Sequence, residues 1–192
     1  LIESVLDAYL KETRDMLVKA SIPITSGFED TTTTYTNAGK VRNQGLEMSL
    51  HTINLTGELG WETNVTATYN KNKIKDLNSA VPYYINQINN SYVTMLAKDY
   101  PINAFYGYVT DGLFQNQAEV DAHAVQPGAE PGDIRFRDLN NDGVINDSDR
   151  TVIGNPNPSW LFSMNNSLSY KGFELSVFLQ GIAGNKIYNA NN

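Results

Sequence analysis

Hydrophobic and polar side chains alternate with a period of two in several stretches of the chain. Residues 60–70 (GWETNVTATYN) are the clearest case, with tryptophan, valine and tyrosine on one face and glutamate and asparagine on the other. Residues 160–170 repeat the pattern, and residues 173–182 continue it after a tight turn at 171–172. Because successive side chains of a strand point to opposite faces, the pattern predicts β-strands, the last two of them joined as a hairpin.

A further strand is predicted over residues 46–56, which turn back into the strand at 60–70. Its first half alternates cleanly, whereas Ile53 and Leu55 fall on the opposite face. A β-bulge near Thr52 would explain the switch, because one extra residue reverses the side on which later side chains lie.

The opening segment fits two structures. The hydrophobic residues among the first 18 positions have helical spacing, which on propensity favours a helix. A strand over residues 2–12 would place Ile2, Leu6, Ala8 and Leu10 on one face, which is a weaker pattern. Both interpretations stay open at this point.

The predicted connections are strongly unequal in length. The turns inside the two hairpins are very short, whereas residues 13–44 and 71–159 form long connections that hold all seven prolines. Short turns at one side of a sheet and long loops at the other are typical of outer-membrane barrels. A compact soluble domain seldom carries an irregular segment as long as 71–159. The asymmetry therefore favours a transmembrane barrel, with 71–159 as a long outer loop.

Aromatic residues stand at both ends of the clearest strands. Trp61 and Tyr69 bracket one strand, and Trp160 and Tyr170 bracket another. At a rise of about 3.3 Å per residue and a tilt of about 40°, these spacings span roughly 20–25 Å along a membrane normal. That height matches the apolar band between the aromatic girdles of an outer-membrane barrel. A soluble β-sandwich with aromatic residues at its sheet edges explains the same pattern equally well.

Composition excludes some functions and leaves the barrel open. The formal net charge of -7 argues against a nucleic-acid partner, because phosphate binding needs a basic surface. The absence of cysteine excludes disulfides, thiolate metal sites and cysteine nucleophiles. No apolar run is long enough for a transmembrane helix, but barrel strands have low mean hydropathy and do not form such runs. No signal peptide is visible at Leu1.

Residues 138–149 (DLNNDGVINDSD) have the spacing of a calcium-binding loop. Oxygen-bearing side chains stand at the first, third, fifth and twelfth positions, and a glycine at the sixth allows the sharp turn that brings them together. The seventh residue would add a backbone carbonyl. The predicted calcium ligands are Asp138, Asn140, Asp142, Val144 and Asp149. The alternative is an Asp/Asn-rich turn held by its own side-chain-to-backbone hydrogen bonds.

Catalytic constellations are not found in the sequence, so we expect no enzyme. His51 and His123 fall in different predicted elements, His51 on the polar face of a strand. There is no nucleophile elbow, no zinc-protease motif and no phosphate-binding glycine loop, and a hydrolase would need a constellation of this kind. The aromatic residues of segment 83–114 would either pack that segment onto itself, or stack on sugar rings or anchor a partner protein.

Several stretches resemble SusC/RagA-family TonB-dependent outer-membrane transporters. The most specific is PGDIRFRD at 131–138, which runs into LNNDGVINDSDRTVIGNPNPSW and continues through YKGFELSVFLQGIAGNKIYN to Asn189. Upstream, AFYGYVTDGLFQ at 104–115, NAGKVRNQGLE at 37–47 and KETRDMLV at 11–18 fit the same family in the same order. The resemblance covers nearly the whole chain.

The resemblance implies an all-β fold, in which antiparallel strands form an open segment of a large transmembrane β-barrel with long extracellular loops. The segment would belong to the C-terminal half of a barrel of about 22 strands, and residues 1–18 would contain a strand. The N-terminal plug and the part that contacts TonB would lie outside this chain, as would the terminal barrel strand beyond Asn192. No catalytic residue is implied.

The implied function is import of glycans or other large nutrients across the outer membrane of a Gram-negative bacterium, driven through TonB. The implied partners are a SusD-like surface lipoprotein, an oligosaccharide or peptide substrate, and outer-membrane lipid around the strands. The alternative is a secreted, calcium-stabilised β-sandwich that binds carbohydrate. The sandwich predicts apolar strand faces buried inside a soluble chain, whereas the barrel predicts that these faces are exposed.

Overall fold

The computed structural model describes residues 1–21, 33–37, 39–77, 82–88 and 91–189, which are mostly β-strand. The α-helix Gln117–Ala122 (α1) and a 3-10 turn at Asp147–Asp149 are short. The strands are Ile2–Thr13 (β1), Leu17–Ser21 (β2), Thr33–Asn37 (β3), Lys40–Leu55 (β4), Leu59–Asp76 (β5), Tyr83–Ile88 (β6), Ser91–Leu96 (β7), Ala104–Tyr108 (β8), Thr110–Leu113 (β9), Ile134–Phe136 (β10), Arg150–Gly154 (β11), Trp160–Tyr170 (β12) and Phe173–Ala183 (β13).

The described residues divide into two compact units. Those within 1–83, 96–102 and 155–187 form the first, and those within 84–95, 103–154 and 188–192 form the second. The first unit holds a five-stranded sheet in the order β1-β4-β5-β12-β13, which we call the main sheet. All its neighbouring strands are antiparallel. No helix among the described residues is long and apolar enough to cross a membrane.

The opening segment is a strand, so the helical interpretation is wrong. β1 pairs with β4 in unbroken register, from Ile2 opposite Thr52 to Thr13 opposite Val41. The backbone hydrogen bonds of β1 are made with a strand far along the chain. Local helix propensity does not measure such bonds, and tertiary pairing overrides it.

The two ends of the main sheet differ. The β4–β5 turn at 56–58 and the β12–β13 turn at 171–172 lie at one end, which we call the turn end. The long connections leave from the opposite end, the loop end, where β1 and β5 finish and β4 and β12 begin. Lys171 (φ 46°) and Gly172 (φ 82°) both have positive φ, as a two-residue type I′ hairpin turn requires. The unequal connections predicted from the sequence are therefore arranged as in an outer-membrane barrel.

The predicted bulge in β4 is present, but two residues later than expected. The register shifts between Ile53 and Leu55, so Asn54 is the extra residue. Leu55 returns to lie opposite Trp61, on the face of the other β4 leucines, whereas Ile53 faces the opposite side with Glu62. Alternation alone predicts that a bulge exists, and the position of the partner strand decides where it lies.

The buried core of the first unit is small and lies at the loop end. It consists of Val41, Ile74, Leu77, Leu96 and Ala97. The turn after β7 is bonded to β5, since the Ile74 amide donates to the Tyr100 carbonyl and the Asp99 amide donates to the Ile74 carbonyl. The strands towards the turn end have no fully buried residue on either face.

Residues 71–159 are not one irregular loop, so that prediction is wrong. β5 continues to Asp76, because its alternation persists after Tyr69 with lysine and asparagine in place of apolar residues. Further on, β11, β8, β7 and β6 form a four-stranded sheet, and β9 pairs with β10. These strands have three to six residues. Such short strands give too few alternating positions for a pattern to be recognised.

Candidate functional site

One face of the main sheet is apolar across all five strands. Directly opposed residues of neighbouring strands share a face, so the register assembles cross-strand rows. Near the loop end the rows are Ala8, Leu46, Tyr69, Trp160 and Ala183, then Leu6, Met48, Ala67, Phe162 and Gly181, then Ser4, Leu50, Val65, Met164 and Leu179. Near the turn end they are Ile2, Thr52, Thr63, Asn166 and Val177, then Leu55, Trp61, Leu168 and Leu175, then Leu59, Tyr170 and Phe173. We call this surface the apolar face.

The apolar face is exposed in this chain. Leu6 is 74% exposed, Phe162 is 51% exposed and Phe173 is 81% exposed. A soluble protein rarely leaves a continuous apolar surface of five strands in water. Of the two alternatives from the sequence, the sandwich predicted that this face is covered, so the exposure contradicts the sandwich and agrees with the barrel.

Aromatic side chains mark both ends of the apolar face. At the loop end Tyr69 lies directly opposite Trp160, and their ring centroids are 4.9 Å apart. At the turn end Trp61, Tyr170 and Phe173 occupy the last two rows. Trp and Tyr favour a membrane–water interface because they combine an apolar ring with a polar tip. The bracketing inferred from the sequence therefore extends across neighbouring strands.

The opposite face of the main sheet, which we call the polar face, carries cross-strand hydrogen bonds. The His51 ring nitrogen Nδ1 lies 2.7 Å from Asn64 Oδ1, and the Thr66 and Ser163 hydroxyls are 2.7 Å apart. His51 thus lies on the polar face, as expected. Apolar residues also occur on this face, namely Val5, Ile53, Leu161, Phe178 and Ile182, with Val41 and Ile74 at the loop end.

A polar network interrupts the apolar face two rows from its turn end. Asn166 Oδ1 accepts hydrogen bonds from Trp61 Nε1 at 3.2 Å and from Thr63 Oγ1 at 2.7 Å. Asn54, the bulged residue of β4, donates from Nδ2 to Thr63 Oγ1 at 2.8 Å. In hydrocarbon a polar group has no water to bond, so it must find its partners within the protein. The donors of Trp61 and Thr63 find such a partner in Asn166, which alternation alone did not predict.

Two glycines of the main sheet lie under aromatic rings of the neighbouring strand. Gly45 is opposite Tyr9, and a Cβ on Gly45 would lie 2.8 Å from the Tyr9 hydroxyl. Gly181 is opposite Phe162, and a Cβ there would lie 2.5 Å from the Phe162 ring. An aromatic ring over a strand glycine covers backbone that would otherwise be bare.

The predicted calcium loop is brought together as one turn with an internal hydrogen-bond pattern. Asp138 Oδ2 accepts from the Gly143 amide at 2.8 Å, and Asn140 Oδ1 accepts from the Asp142 amide at 2.9 Å. Asp142 Oδ1 accepts from the Val144 amide at 2.9 Å. Gly143 has φ 83°, a conformation that suits glycine.

Asp149 closes this loop from within. It is fully buried, and its two carboxylate oxygens accept from the Asn146 amide at 2.9 Å and the Leu139 amide at 2.8 Å. These two amides are the main reason that the pKa of Asp149 lies below its usual value. Such a carboxylate stays charged, because its charged form is the one that the amides stabilise.

One oxygen of the predicted calcium loop is left without a hydrogen-bond partner. The second oxygen of Asp138, Oδ1, is buried and has no hydrogen-bond partner, and a buried polar atom of this kind calls for a cation or a donor. The Val144 carbonyl accepts from Asn146 Nδ2 at 3.3 Å, and both Asp142 oxygens have partners within the loop. Within the described residues, no three His, Asp or Glu side chains are grouped so as to hold a metal ion. Calcium binding at this loop therefore stays a prediction.

The second unit contains a cleft of about 300 Å³ that the sequence did not predict. Tyr84, Tyr92 and Tyr106 line it, and the ring centroids of Tyr84 and Tyr106 are 4.9 Å apart. The Arg150 guanidinium lies 4.4 Å from the centre of the Tyr106 ring and donates to the Tyr92 carbonyl. Asp147 also lines the cleft. We call it the tyrosine cleft.

Most aromatic residues of segment 83–114 pack against other aromatic rings. In the second unit Phe114 is buried and meets the ring of His123 edge-on at 5.3 Å, and Tyr108 lies 4.8 Å from Phe136. Tyr84 is 43% exposed and Tyr92 is 39% exposed, so these two present part of their rings to solvent. Packing accounts for much of the aromatic content, and the tyrosine cleft presents two partly exposed rings.

Comparisons with known proteins all match this chain to TonB-dependent receptors or to transporters of similar fold. The model of the family described as TonB dependent receptor-like, beta-barrel, matches residues 4–181. TonB-dependent receptor P26 of Formosa agariphila is 33% identical over 187 residues, which cover 96% of this chain and 19% of that receptor. TonB-dependent receptor SusC of Bacteroides thetaiotaomicron is 26% identical over 192 residues, which cover 95% of this chain and 18% of SusC.

Among solved structures, the RagAB peptide transporter superposes with a TM-score of 0.73 at 21% identity, covering 96% of this chain and 19% of the transporter chain. The same importer in its open-open state gives a TM-score of 0.68. At this identity the likeness concerns the fold. The chain spans about a fifth of the length of the receptors it matches.

Proposed function

Because this chain belongs to the TonB-dependent receptor β-barrel family, we propose that it forms part of the barrel wall and outer loops of an outer-membrane nutrient importer. The family consists of receptors and transporters rather than enzymes. In the proposed arrangement the apolar face contacts lipid and the polar face lines the lumen. The edges of the main sheet, β1 and β13, would pair with further strands of the same barrel.

The observation that carries this proposal is the exposed apolar face with aromatic residues at both ends. Removing apolar area from water is favourable by roughly 25 cal/mol per Å². An apolar surface that extends over five strands is therefore strongly favoured to contact something other than water. Hydrocarbon covers it without another protein layer, and closure of the barrel removes the two open edges. The loop end would then face the cell exterior, since outer-membrane barrels carry short turns on the periplasmic side.

Neighbouring positions on β12 test this arrangement. The chain has no cysteine, so Phe162→Cys and Ser163→Cys introduce single labelling sites on opposite faces of one strand. In intact outer membranes we expect Cys at 163 to react with a small water-soluble maleimide, and Cys at 162 to react with a lipid-soluble one. Met48→Cys and Thr66→Cys are the matched pair on β4 and β5. Equal water-soluble labelling of both faces would contradict a lipid-facing wall.

The proposed substrate is an oligosaccharide or a peptide, and the proposed partner is a SusD-like surface lipoprotein. Support comes from the names of similar proteins: SusC for one relative and a RagAB peptide transporter for the fold. The tyrosine cleft offers stacking faces for either substrate class. Deletion of the full-length gene should abolish growth on the transported nutrient, and growth on oligosaccharides and on peptides should be compared. Co-purification of a lipoprotein with the tagged receptor tests the partner.

We also propose that the loop at 138–149 takes calcium as a structural ion. The support is the spacing of its oxygens together with the buried, unpartnered Oδ1 of Asp138. Calcium prefers six to eight oxygen ligands, so water and carbonyl oxygens would complete the set. The bound ion would neutralise carboxylates that otherwise crowd one short turn, and so stiffen this part of the outer loop.

A further inference from the structure

A cluster of cations continues the apolar face beyond its aromatic rim at the loop end. In the register of β4 and β5, Gln44 lies opposite Lys71 and Arg42 lies opposite Lys73. Lys75 is the extra residue at the register shift near the end of β5. These five side chains line a cleft of about 180 Å³, which we call the basic cleft. Four of its five residues are cationic in a chain whose net charge is -7.

Two of the four cations have a carboxylate partner. Arg42 pairs with Glu12 of β1 at 2.6 Å, and Lys73 pairs with Asp99 at 2.9 Å. The next cross-strand pair towards the loop end, Lys40 opposite Asp76, adds no net charge.

Lys71 and Lys75 hold the remaining positive charge. Across the described ranges, no carboxylate lies within ion-pair distance of either ammonium group. Lys73, Lys98 and Lys75 together hold the pKa of Asp99 below its usual value, and Lys73 has the largest effect. The basic cleft therefore carries an excess of positive charge.

The basic cleft begins at the height of the headgroup layer of a membrane and extends beyond it. Tyr69 and Trp160 mark the rim of the apolar face. Lys71, Lys73 and Lys75 lie two, four and six residues further along β5, which corresponds to about 5, 10 and 15 Å along the membrane normal for a strand tilted by about 40°. The headgroup region adds roughly 5–8 Å to each side of the hydrocarbon core. Long lysine stems also let the ammonium groups reach polar headgroups from positions near the rim.

We propose that the basic cleft binds the phosphate of an anionic lipid headgroup in the leaflet that surrounds the loop end. This inference rests on the proposed function, because it requires lipid against the apolar face. The ammonium groups of Lys71 and Lys75 supply mobile donors and charge for phosphate oxygens, while Arg42 stays paired with Glu12. Acyl chains of the same lipid would lie along the apolar rows below, so one molecule would meet both surfaces.

The test uses the full-length receptor, purified in a neutral detergent at low salt. Native mass spectrometry measures binding of a bis-phosphorylated glycolipid, of the same lipid after dephosphorylation, and of inorganic phosphate. The test variant carries Lys71→Gln and Lys75→Gln. A control with the same charge change carries Lys11→Gln on the polar face and Lys171→Gln at the turn end.

We expect the test variant to bind the phosphorylated lipid about thirtyfold more weakly than wild type, since each of the two lysines near an anionic surface contributes about 1 kcal/mol. The control should bind as wild type does, and dephosphorylation should remove the difference between the proteins. Equal weakening in the control, or equal affinity for the dephosphorylated lipid, would overturn the proposal. Displacement of the lipid by an equal concentration of inorganic phosphate would also overturn it, since the site would then take any phosphate.

These outcomes are separate from failure of the proposed function. If cysteine labelling places Phe162 in water, the lipid-facing wall itself is wrong. If labelling supports the wall and the lysine variant binds lipid normally, the lipid-phosphate site alone is wrong. Heat-dependent migration on gels reports whether each variant has folded.

Discussion

Trp61 and Asn166 are joined across β5 and β12 by a hydrogen bond from Trp61 Nε1 to Asn166 Oδ1, at 3.2 Å on the apolar face. Thr63 bonds the same oxygen, so one asparagine satisfies two donors. In the proposed barrel these groups lie on the lipid side next to the aromatic rim of the turn end, where water is scarcer than in solution and a partner within the protein matters more. Asn166 therefore makes it possible for polar side chains to occupy this part of an apolar surface.

Replacing this asparagine tests the idea. Asn166→Leu leaves the Trp61 and Thr63 donors without their acceptor, and we expect a loss of about 1–3 kcal/mol of stability. The measurement is the urea midpoint of the refolded full-length receptor in lipid vesicles. Asn165→Leu is the control on the polar face, where Asn165 Oδ1 accepts from Ser176 Oγ. Water in the lumen can replace that bond, so a loss as large in the control would contradict the role given to Asn166.

The two glycines beneath aromatic rings should respond differently to alanine. At Gly181 the new Cβ meets the Phe162 ring, which can move or be shortened. At Gly45 the new Cβ also collides with the Tyr69 carbonyl, which belongs to a paired strand and cannot move away. We expect Gly45→Ala to lower the folded fraction more than Gly181→Ala, as read from heat-dependent gel migration.

A second substitution separates these two cases. Phe162→Leu should restore folding of Gly181→Ala, because it removes the ring that the Cβ meets. Tyr9→Leu should fail to restore Gly45→Ala, because the backbone collision persists. Rescue of both variants, or of neither, would show that the close approaches are not the cause.

The calcium proposal predicts protection of the loop at 138–149. With calcium, limited proteolysis of this loop should be several-fold slower than with a chelator. Asp138→Ala together with Asp142→Ala should remove the difference, because the first loses the buried free oxygen and the second loses the loop's central carboxylate. Asp121→Ala on α1 should keep it, since Asp121 contacts Gln117 outside the loop. Identical cleavage of the wild-type loop in calcium and in chelator would contradict calcium binding at this loop.

Tyr106 should ionise unusually late. Burial, followed by the hydrogen bond with Tyr84, raises the pKa of Tyr106 to about 12. A tyrosine in the unfolded chain ionises near pH 10. Between about pH 10 and 12, Tyr106 is therefore protonated in the folded state and ionised in the unfolded state. The contribution of Tyr106 to the stability of the folded state is therefore complete below pH 10 and is lost as the pH rises through about 12.

The measurement is the tyrosinate absorbance of the full-length receptor against that of Tyr106→Phe. The difference should titrate near pH 12, and in Tyr106→Phe the high-pH loss of stability of this region should be smaller. A difference that titrates near pH 10 would mean that the ring is open to water.

The sequence alone determined the strands whose alternation is long. The segments at 160–170 and 173–182 were predicted nearly to the residue, and the strand predicted at 60–70 begins one residue earlier and continues to Asp76. A period of two is a local property, since it reflects only that each strand has two faces. The oxygen spacing of the loop at 138–149 was equally local, and the structure brings its members into one turn.

Only the tertiary structure decided what depends on partners distant in the chain. β1 is a strand because it pairs with β4, and the bulge at Asn54 follows from the register with β5. The Trp61–Asn166 bond joins residues 105 positions apart, and the basic cleft joins Arg42 to lysines of the neighbouring strand. Register is set by the pairing of whole strands, and a shift of one residue would turn every side chain to the other face. Alternation in the sequence therefore predicts that a strand has two faces. Only the pairing of the strands decides which residues meet on each face.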